Sequence, residues 1–290
     1  MVQLLRCLAD VATEYDALIC DIWGVVHNGL TAWPEACAAL TAYREQGGIV
    51  ILLTNSPRPS EGVQKQLDEM SVPRSAYDDT VTSGDLTRNI LVHALDKAIH
   101  HIGPPRDNGI YDGIDITLTD AERAEFVLVT GLWDEETESP DDYADLLQSY
   151  LARGLTVLCA NPDLIVERGD KLIYCAGALG QRYEEMGGQV IWAGKPHPEA
   201  YDAATAAINT HAGRDVPVNR VLAIGDSLRT DLAGGVAYGC DTLFIAQGIH
   251  AAEFFQTDAR GARTGLNLPG IAEATKEAGV TPRYVMPLLR

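Results

Sequence analysis

Residues 17–29 read ALICDIWGVVHNG. The first four residues are apolar and predict a buried strand, and the glycines that follow predict a turn. This strand carries Asp21 to its carboxyl end. Ligands of open α/β sheets bind outside the carboxyl ends of the strands, so we expect chemistry at Asp21. A simpler use of an Asp at a strand end is to stabilise a turn.

Three other apolar strands also run into polar residues. These residues are Thr54 and Asn55 after residues 49–53, Lys195 after residues 190–192, and Asp226 and Asp231 after residues 220–224. The carboxyl ends of parallel strands meet at one edge of a sheet. We therefore expect these side chains to form a site rather than a polar surface.

Helical segments alternate with continuously apolar strands in the first part of the chain. This alternation predicts an α/β fold with a doubly wound, mostly parallel sheet that is covered by helices on both faces. The pattern changes after Gly84, where a helix near residues 85–100 leads into a turn-rich stretch. We predict a core domain of residues 1–84 and 188–290, with residues 190–192 in its sheet, and a smaller α/β domain of residues 85–187 inserted into it.

Composition narrows the class of protein and of partner. The chain has 290 residues, 46% hydrophobic and 22% charged, which is ordinary for a globular protein long enough for two domains. Its net charge of −19 argues against nucleic acid and against a membrane surface as partners, since both attract Lys and Arg. An anionic substrate would need a local positive group, such as a metal ion.

The six cysteines indicate a reducing compartment. They form no C-x-x-C pair and mostly lie in apolar runs, which favours buried thiols over zinc ligands or disulfides. The N-terminus lacks the order of basic, apolar and small residues found in a signal peptide, and no apolar run approaches ~18 residues. These features predict a cytoplasmic protein.

A divalent cation is expected among the carboxylates. Asp21, Asp226 and Asp231 would repel one another, and any phosphate, unless a cation lies between them. Mg²⁺ suits such a site because it prefers hard oxygen ligands and bridges to substrate phosphates. Asp231 also has a simpler interpretation as the N-cap of the helix that follows it.

In their order along the chain, the four segments resemble the four motifs of the haloacid dehalogenase (HAD) superfamily. The long insert between the second and third motifs resembles its class IIA branch, the NagD-like sugar and nucleotide phosphatases. The motifs span Asp21 to Asp231, most of the chain. The resemblance implies a HAD, Rossmann-like core with an inserted cap domain that closes over the site. Relatives of this branch often form homodimers through the cap.

The resemblance also implies how the acidic motifs act. Asp21 would attack phosphorus as the nucleophile and form an aspartyl-phosphate, which water then cleaves. Mg²⁺ would be held by Asp21, by Asp226 and by the backbone carbonyl of Trp23. Asp231 would bind the ion itself or hold one of its ligands.

The remaining core motifs would contact the phosphoryl group. Thr54 and Asn55 would donate hydrogen bonds to its oxygens through hydroxyl and backbone N–H groups. Lys195 would neutralise the developing charge and hold the Asp21 carboxylate. An ordinary turn pair and a solvated loop lysine are the simpler interpretations of these residues.

One loop of the predicted cap is a candidate substrate contact. Asn161 and Asp163 follow a buried strand, and Asp163 resembles the cap loop of the family that reaches into the site. A carboxylate there could accept hydrogen bonds from sugar hydroxyls, although an Asn-Pro-Asp turn is an equally good interpretation. Arg58 is a weaker candidate for a second phosphate contact.

Trp23 departs from the family pattern, because the family's phosphatases carry a second Asp at this position. Acid–base help to the leaving group is worth roughly 10²–10⁴ in rate, and indole cannot give it. Three explanations stay open. Another group such as His27 supplies the proton, although packing is the simpler role for His27. Alternatively, the substrate has a good leaving group, as in an acyl phosphate, a phosphoanhydride or an aryl phosphate. In the third case the reaction is slow, and the protein mainly binds a phosphorylated ligand.

We therefore predict a Mg²⁺-dependent phosphohydrolase that acts through Asp21 on a small phosphorylated metabolite, such as a sugar or nucleotide phosphate. The alternative is a catalytically weakened protein that binds a phosphorylated ligand. HAD dehalogenases also lack the Asp at position 23, but they work without a metal. The retained Asp226 and Asp231 argue against that activity.

Overall fold

A computed structural model describes residues 2–169, 171–257 and 263–290. The strands are, in chain order, β1 (Gln3–Leu4), β2 (Ala17–Cys20), β3 (Ile49–Thr54), β4 (Asp79–Thr82), β5 (Ala98–Ile102), β6 (Thr117–Leu118), β7 (Phe126–Val129), β8 (Thr156–Cys159), β9 (Ile165–Arg168), β10 (Lys171–Tyr174), β11 (Gln189–Trp192), β12 (Val221–Gly225), β13 (Asp241–Ile245), β14 (Phe255–Thr257), β15 (Arg263–Leu266) and β16 (Tyr284–Met286). The helices are α1 (Pro34–Glu45), α2 (Ser60–Glu69), α3 (Ser83–Leu91), α4 (Ala144–Ala152), α5 (Ala176–Glu185), α6 (Pro198–Ala212), α7 (Ala233–Tyr238), α8 (Ala251–Phe254) and α9 (Leu268–Glu277).

The first sheet has seven strands in the order β1-β16-β13-β12-β2-β3-β4, and each neighbouring pair is parallel. Strand β2 lies between β12, the central strand, and β3, and its Cys20 is in register with Leu52 of β3 and with Ile224 of β12. The carboxyl ends of these three strands are therefore level with one another. This register brings the residues after β2, β3 and β12 to one edge of the sheet.

Both faces of the first sheet are buried. Successive side chains of a strand point to opposite faces, so each strand contributes residues to both. On one face, Leu18 packs in a cluster with Leu40 of α1 and Leu67 of α2. On the other face, Ile19 packs in a cluster with Tyr201 of α6. Helices on both faces of a parallel sheet confirm the predicted doubly wound α/β fold.

The second sheet has five parallel strands in the order β11-β8-β7-β5-β6. Its strands all come from one stretch of chain between β4 and β12. One face packs on Leu147 of α4 and Leu179 of α5, and the other packs on Leu91 of α3. Strands β9 and β10 form a separate antiparallel hairpin. The division of the chain into a core and an inserted cap domain stays a prediction.

Two details of the predicted organisation are wrong. Strand β11 does not return to the first sheet, because Trp192 pairs with Cys159 of β8 in the second sheet. The stretch assigned to the core from residue 188 therefore begins with a strand of the other sheet. A short apolar strand looks the same in sequence whichever sheet it joins, since pairing depends on distant partners.

The second error concerns the helix expected near residues 85–100. Helix α3 ends at Leu91, and β5 begins at Ala98. Ile99 and Ile102 are buried in that strand.

Within the described residues, no helix is both long enough and apolar enough to cross a membrane.

Candidate active site

Lys195 lies in the middle of the site as a buried counter-ion. Its Nζ donates hydrogen bonds to Asp21 Oδ1 at 2.5 Å, to Asp231 Oδ1 at 2.6 Å and to the carbonyl of Leu53 at 2.9 Å. Three acceptors match the three protons of an ammonium group. Burial alone would lower the pKa of Lys195, but the two aspartates raise it well above its ordinary value. Lys195 is therefore charged, and it is not a solvated loop lysine.

Three carboxylates form a buried group around this lysine. Asp21, Asp226 and Asp231 each offer an oxygen, and these atoms lie within 4.8 Å of one another. Burial raises the pKa of Asp226 well above its usual range, and the charges of Asp21 and Asp231 raise it further. Burial also raises the pKa of Asp21, while Lys195 opposes that shift.

The residues of this group fit a bound Mg²⁺. Three carboxylates against one ammonium leave an excess of two negative charges, which one divalent cation would neutralise. All the donors are hard oxygen atoms, the type that Mg²⁺ prefers. Asp231 also accepts a hydrogen bond at Oδ2 from the backbone N–H of Ser227 at 3.1 Å, which lies before it in the chain. The interpretation of Asp231 as a helix N-cap is wrong, because it lies inside the helical turn Leu228–Leu232, whose N-cap is Ser227, and Leu232 is the N-cap of α7.

Two glycines enclose the Asp226 carboxylate. Gly24 and Gly248 have φ angles of +85° and +106°, and a Cβ on either would lie 2.1 Å or 1.9 Å from Asp226 Oδ2. The backbone N–H of Ile249 donates to the same oxygen at 2.9 Å. The backbone that follows Trp23 therefore packs directly on Asp226, and only glycine fits this close approach.

Asn55 holds three loops together. Its Nδ2 donates to Asp163 Oδ1 at 2.9 Å and to the carbonyl of Lys195 at 3.1 Å, while its Oδ1 accepts from the backbone N–H of Lys195 at 2.8 Å. The side chain is thus committed to structure, which leaves its backbone N–H as the group for the predicted phosphate contact. Thr54 is buried beside Asp21, and its Oγ1 accepts a hydrogen bond from Ser56 at 3.2 Å.

The loop of residues 161–163 reaches the site from the second sheet. Asp163 lines the same small chamber as Asp21, and burial raises the pKa of its carboxyl. Asn161 accepts a hydrogen bond from the backbone N–H of Asp163 at 3.0 Å and faces a larger neighbouring cavity. Gly177 of α5 fixes the loop, because a Cβ there would lie 2.4 Å from the carbonyl of Asp163. The structure brings both predicted residues to the site.

The Trp23 side chain connects the loop after β2 to the β9–β10 hairpin through a hydrogen bond. Its indole N–H donates to the backbone carbonyl of Glu167 at 2.5 Å. The ring lies edge-on to His27, with centroids 5.1 Å apart, and a Cβ at Gly29 would lie 2.3 Å from it. No sequence pattern predicts this contact, since any residue could supply a backbone carbonyl.

His27 does not fit the role of a replacement proton donor. It is buried, and its Nδ1 accepts the backbone N–H of Gly29 at 3.0 Å. Burial lowers the pKa of its imidazole to about 4, so the ring is neutral at pH 7. The structure shows the packing histidine that was the simpler interpretation.

Two cavities meet at the site. The reaction chamber, lined by Asp21 and Lys195, has a volume of about 30 Å³. The outer cavity, whose wall includes Arg58 and Arg106, has a volume of about 160 Å³. Both are lined by a shared set of residues, namely Trp23, Thr54, Asp163 and Val166. The part of a substrate beyond its phosphoryl group would therefore extend into the outer cavity.

Comparisons with known proteins agree with this arrangement. A family model described as haloacid dehalogenase-like hydrolase matches residues 18–117, and a second, HAD-hydrolase-like model matches residues 192–287. The crystal structure of a hydrolase of the haloacid dehalogenase-like family from Brucella suis 1330 is 42% identical. It superposes with a TM-score of 0.87 over 99% of this chain and 100% of that one.

Two characterised relatives are more distant in sequence. The ribonucleotide monophosphatase NagD of Escherichia coli K12 is 27% identical over 88% of this chain and 96% of its own length. The 5'-nucleotidase YutF of Bacillus subtilis 168 is 26% identical over 84% of this chain and 92% of its own length.

Fold and relatives together define the class of protein, a phosphate-hydrolysing enzyme. The similarity covers both sheets, so it includes the second sheet as well as the motif-bearing one. The chain belongs to the haloacid dehalogenase-like hydrolases, in their class IIA, NagD-like branch. This membership confirms the resemblance seen in the four motifs.

Proposed function

We propose that the protein is a Mg²⁺-dependent phosphatase that acts on a small phosphorylated metabolite through Asp21. The observation that carries the proposal is the hydrogen bond of 2.5 Å between Lys195 Nζ and Asp21 Oδ1 inside the buried acidic group. A carboxylate that is buried and held by a charged lysine is oriented for attack and shielded from water.

The chemistry follows from the placement of these groups. The Asp21 carboxylate attacks phosphorus, the bond from phosphorus to the leaving oxygen breaks, and an aspartyl-phosphate forms. Water then attacks this phosphorus, which releases inorganic phosphate and restores the carboxylate. Lys195 stabilises the negative charge of the transferring group, while the Thr54 hydroxyl and the Asn55 backbone N–H donate hydrogen bonds to its oxygens.

Asp21, Asp226 and the Trp23 carbonyl would hold Mg²⁺, with Asp231 beside them. The bound ion would neutralise charge on the phosphoryl oxygens and on the carboxylates. Lys195 alone leaves two negative charges of the acidic group uncompensated, which would oppose the entry of a phosphate.

A sugar or nucleotide phosphate is the proposed substrate class. NagD is named as a ribonucleotide monophosphatase and YutF as a 5'-nucleotidase, and both align with nearly their whole length. Sugars and nucleosides both offer hydroxyls, for which Asp163 is the proposed acceptor. A cytoplasmic location and assembly as a homodimer are further proposals, consistent with the composition and with the family resemblance.

The presence of Trp23 favours one alternative function, in which the protein mainly binds a phosphorylated ligand and hydrolyses it slowly. The Trp23 N–H is already donated to Glu167, so it cannot stabilise a leaving oxygen either. Hydrolysis of p-nitrophenyl phosphate distinguishes the two functions, because its leaving group needs no proton.

We expect turnover of p-nitrophenyl phosphate that requires Mg²⁺. Asp21→Asn should reduce kcat by at least ~10³-fold, the scale of losing a nucleophile. Asp141→Asn is the matched control, since it makes the same change in a side chain that is 82% exposed and has no role in the proposed reaction. Mass spectrometry of the acid-quenched enzyme should find a phosphoryl group on Asp21. Absence of turnover, together with Mg²⁺-dependent binding of phosphate esters, would establish the alternative.

A further inference from the structure

Three arginines line the outer cavity of this strongly acidic protein, together with the acidic residues Asp107, Glu135 and Asp163. Arg58, Arg106 and Arg168 all line it, although the chain has 22 Lys and Arg against 41 Asp and Glu. Arg58 comes from the first-sheet side, on the loop after β3, and Arg106 comes from the turn-rich segment after β5. No periodic pattern in the sequence marks Arg106, because it lies in a single short 3-10 helical segment, Pro105–Tyr111.

Two of these guanidinium groups form long ion pairs with one buried carboxyl, at distances too great for a hydrogen bond. The Nε atoms of Arg58 and Arg106 lie 3.9 Å and 3.8 Å from Asp107 Oδ1, which is beyond hydrogen-bond length. Asp107 is only 4% exposed. Burial raises its pKa to about 6, although both arginines lower it. Asp107 therefore places the two guanidinium groups side by side and leaves their N–H groups largely uncommitted.

The hydrogen bonds of Arg58 and Arg106 also show that most of their N–H groups are uncommitted. Among the residues that the structure describes, the Arg58 side chain donates to Gln66 at 2.9 Å, and the Arg106 side chain donates to Glu135. A guanidinium group has five N–H donors. Most donors of both groups thus remain for a ligand in the cavity.

The loop that carries Arg58 is rigidly placed. Gly84 of α3 donates its backbone N–H to the carbonyl of Ser56 at 3.1 Å, and a Cβ at Gly84 would lie 2.4 Å from the Arg58 carbonyl carbon. The same loop begins with Thr54, which lines the reaction chamber. A phosphate contact and an arginine are therefore held at a fixed separation along one loop.

We propose that Arg58 and Arg106 bind a second anionic group of the substrate, a carboxylate or a phosphate on its leaving portion. The inference rests on the proposed function, since it places the reacting phosphoryl group beside Asp21. Paired guanidinium groups suit both anions, because their N–H groups match two oxygens at once. The lining of the outer cavity also includes apolar side chains, among them Trp23, Val166 and Ile173. The substrate is thus a compact phosphate ester with charge at both ends.

Three aryl phosphates test this with the wild-type enzyme. Meta-carboxyphenyl phosphate, resorcinol bisphosphate and meta-carbamoylphenyl phosphate share one ring, and only the carbamoyl compound lacks the second charge. We expect kcat/KM for at least one charged compound to exceed that of the carbamoyl compound by ~10-fold or more, mainly through KM. The better of the two charged compounds identifies the anion as carboxylate or phosphate. Equal values for all three compounds, or a preference for the carbamoyl compound, would overturn the inference.

A double variant tests whether Arg58 and Arg106 cause the preference for the charged compounds. In Arg58→Gln/Arg106→Gln the preference should disappear, because kcat/KM for the charged compounds should fall by ~10-fold or more relative to kcat/KM for the carbamoyl compound. Arg123→Gln is the control, since its side chain is 73% exposed and pairs with Asp120. A preference that survives the double variant, or an equal loss on all three compounds, would also overturn the inference.

Failure of the proposed function is a separate outcome. If no aryl phosphate is hydrolysed, calorimetric titration of the same three compounds into the protein with Mg²⁺ replaces the kinetic comparison. Tighter binding of a charged compound, lost in the double variant, would support the inference. Equal affinities for all three would overturn it.

Discussion

Lys195 Nζ and Asp21 Oδ1 form a buried ion pair of 2.5 Å between residues that lie 174 positions apart in the chain. Both side chains are less than a tenth exposed, and Lys195 pairs with Asp231 in the same way. A buried pair of this kind fixes the loops after β2 and β11 relative to each other, because removing either partner leaves an unpaired buried charge.

Lys195→Met should therefore destabilise the fold as well as abolish activity. Without Mg²⁺ at pH 7, we expect the free energy of unfolding to fall by ~3–5 kcal/mol, the cost of an uncompensated buried charge. Urea unfolding with a chelator present measures this. Lys171→Met is the control, because its pair with Glu136 is largely exposed and should contribute at most ~1 kcal/mol. A Lys195→Met protein as stable as the wild type would show that the pair is not ionised.

Trp23→Asp should change substrate preference. A carboxyl at this position could protonate a leaving alkoxide, so the ratio of kcat for alkyl to aryl phosphates should rise by ~10-fold or more. The variant also loses the packing on His27 and the hydrogen bond to Glu167, which should cost ~3–5 kcal/mol of stability. Parallel assays on glycerol phosphate and p-nitrophenyl phosphate give the ratio.

Trp23→Phe serves as the matched control for that prediction. It keeps an aromatic ring and removes the N–H donor to Glu167, which should cost ~1 kcal/mol. It supplies no proton, so the alkyl-to-aryl ratio should stay unchanged. A uniform loss of rate in both variants would mean that Trp23 contributes packing alone.

Gly248→Ala should weaken Mg²⁺ dependence selectively. Its φ of +106° costs an L-residue ~1–2 kcal/mol, and the added Cβ would lie 1.9 Å from Asp226 Oδ2, so the carboxylate must move. We expect the Mg²⁺ concentration for half-maximal activity to rise by ~10-fold or more. Gly47→Ala has the same backbone strain at φ +90° with no atom within 4 Å, and it should leave that concentration unchanged. A Gly248→Ala enzyme with unaltered Mg²⁺ dependence would remove Asp226 from the metal site.

Asp107→Asn should stabilise the protein at high pH. The folded-state pKa of about 6 lies above the ordinary value of 3.8, so the folded chain holds this proton more tightly than the unfolded chain. The group's stabilising contribution is complete below pH ~4 and is lost as pH rises through 6. At pH 8 we expect the variant to be more stable than the wild type by ~1–3 kcal/mol, with the difference shrinking toward pH 4.5.

Urea unfolding at pH 4.5, 6 and 8 measures this difference. Asp120→Asn is the control, since its side chain is 76% exposed. Should Asp107→Asn be less stable than the wild type at pH 8, the ionised carboxylate would be a net stabilising partner of Arg58 and Arg106. Asp107 would then bind the two arginines, instead of leaving their N–H groups largely uncommitted.

The first sheet was predictable because its signals are local. Four-residue apolar strands such as β2 and the turn residues behind them are visible within a few positions of the chain. Parallel pairing then forces the strand ends to one edge, so Asp21, Thr54 and Asp226 could be expected to meet. Helices α1 and α6 begin at Pro34 and Pro198, and proline is favoured at the first position of a helix, so this signal is local too.

The second sheet was less predictable. The sequence of β11 is equally compatible with either sheet, and its pairing with β8 depends on how α5 packs on both strands. The prediction of a helix beyond Leu91 is wrong because the buried residues of β5, Ile99 and Ile102, are three positions apart, which is also the spacing of a helix face. Such a short pattern does not exclude a helix.

By itself, the sequence determined the family, the parallel sheet and the set of acidic and polar residues that meet at its edge, because each of these depends on short apolar strands and the turns that end them. Only the tertiary structure decided that Trp23 bonds to Glu167 and that Arg58 meets Arg106 beside Asp107. These contacts join segments from different parts of the chain, and their partners are chosen by the packing of the second sheet and its hairpin against the first. No local pattern of residues records that choice.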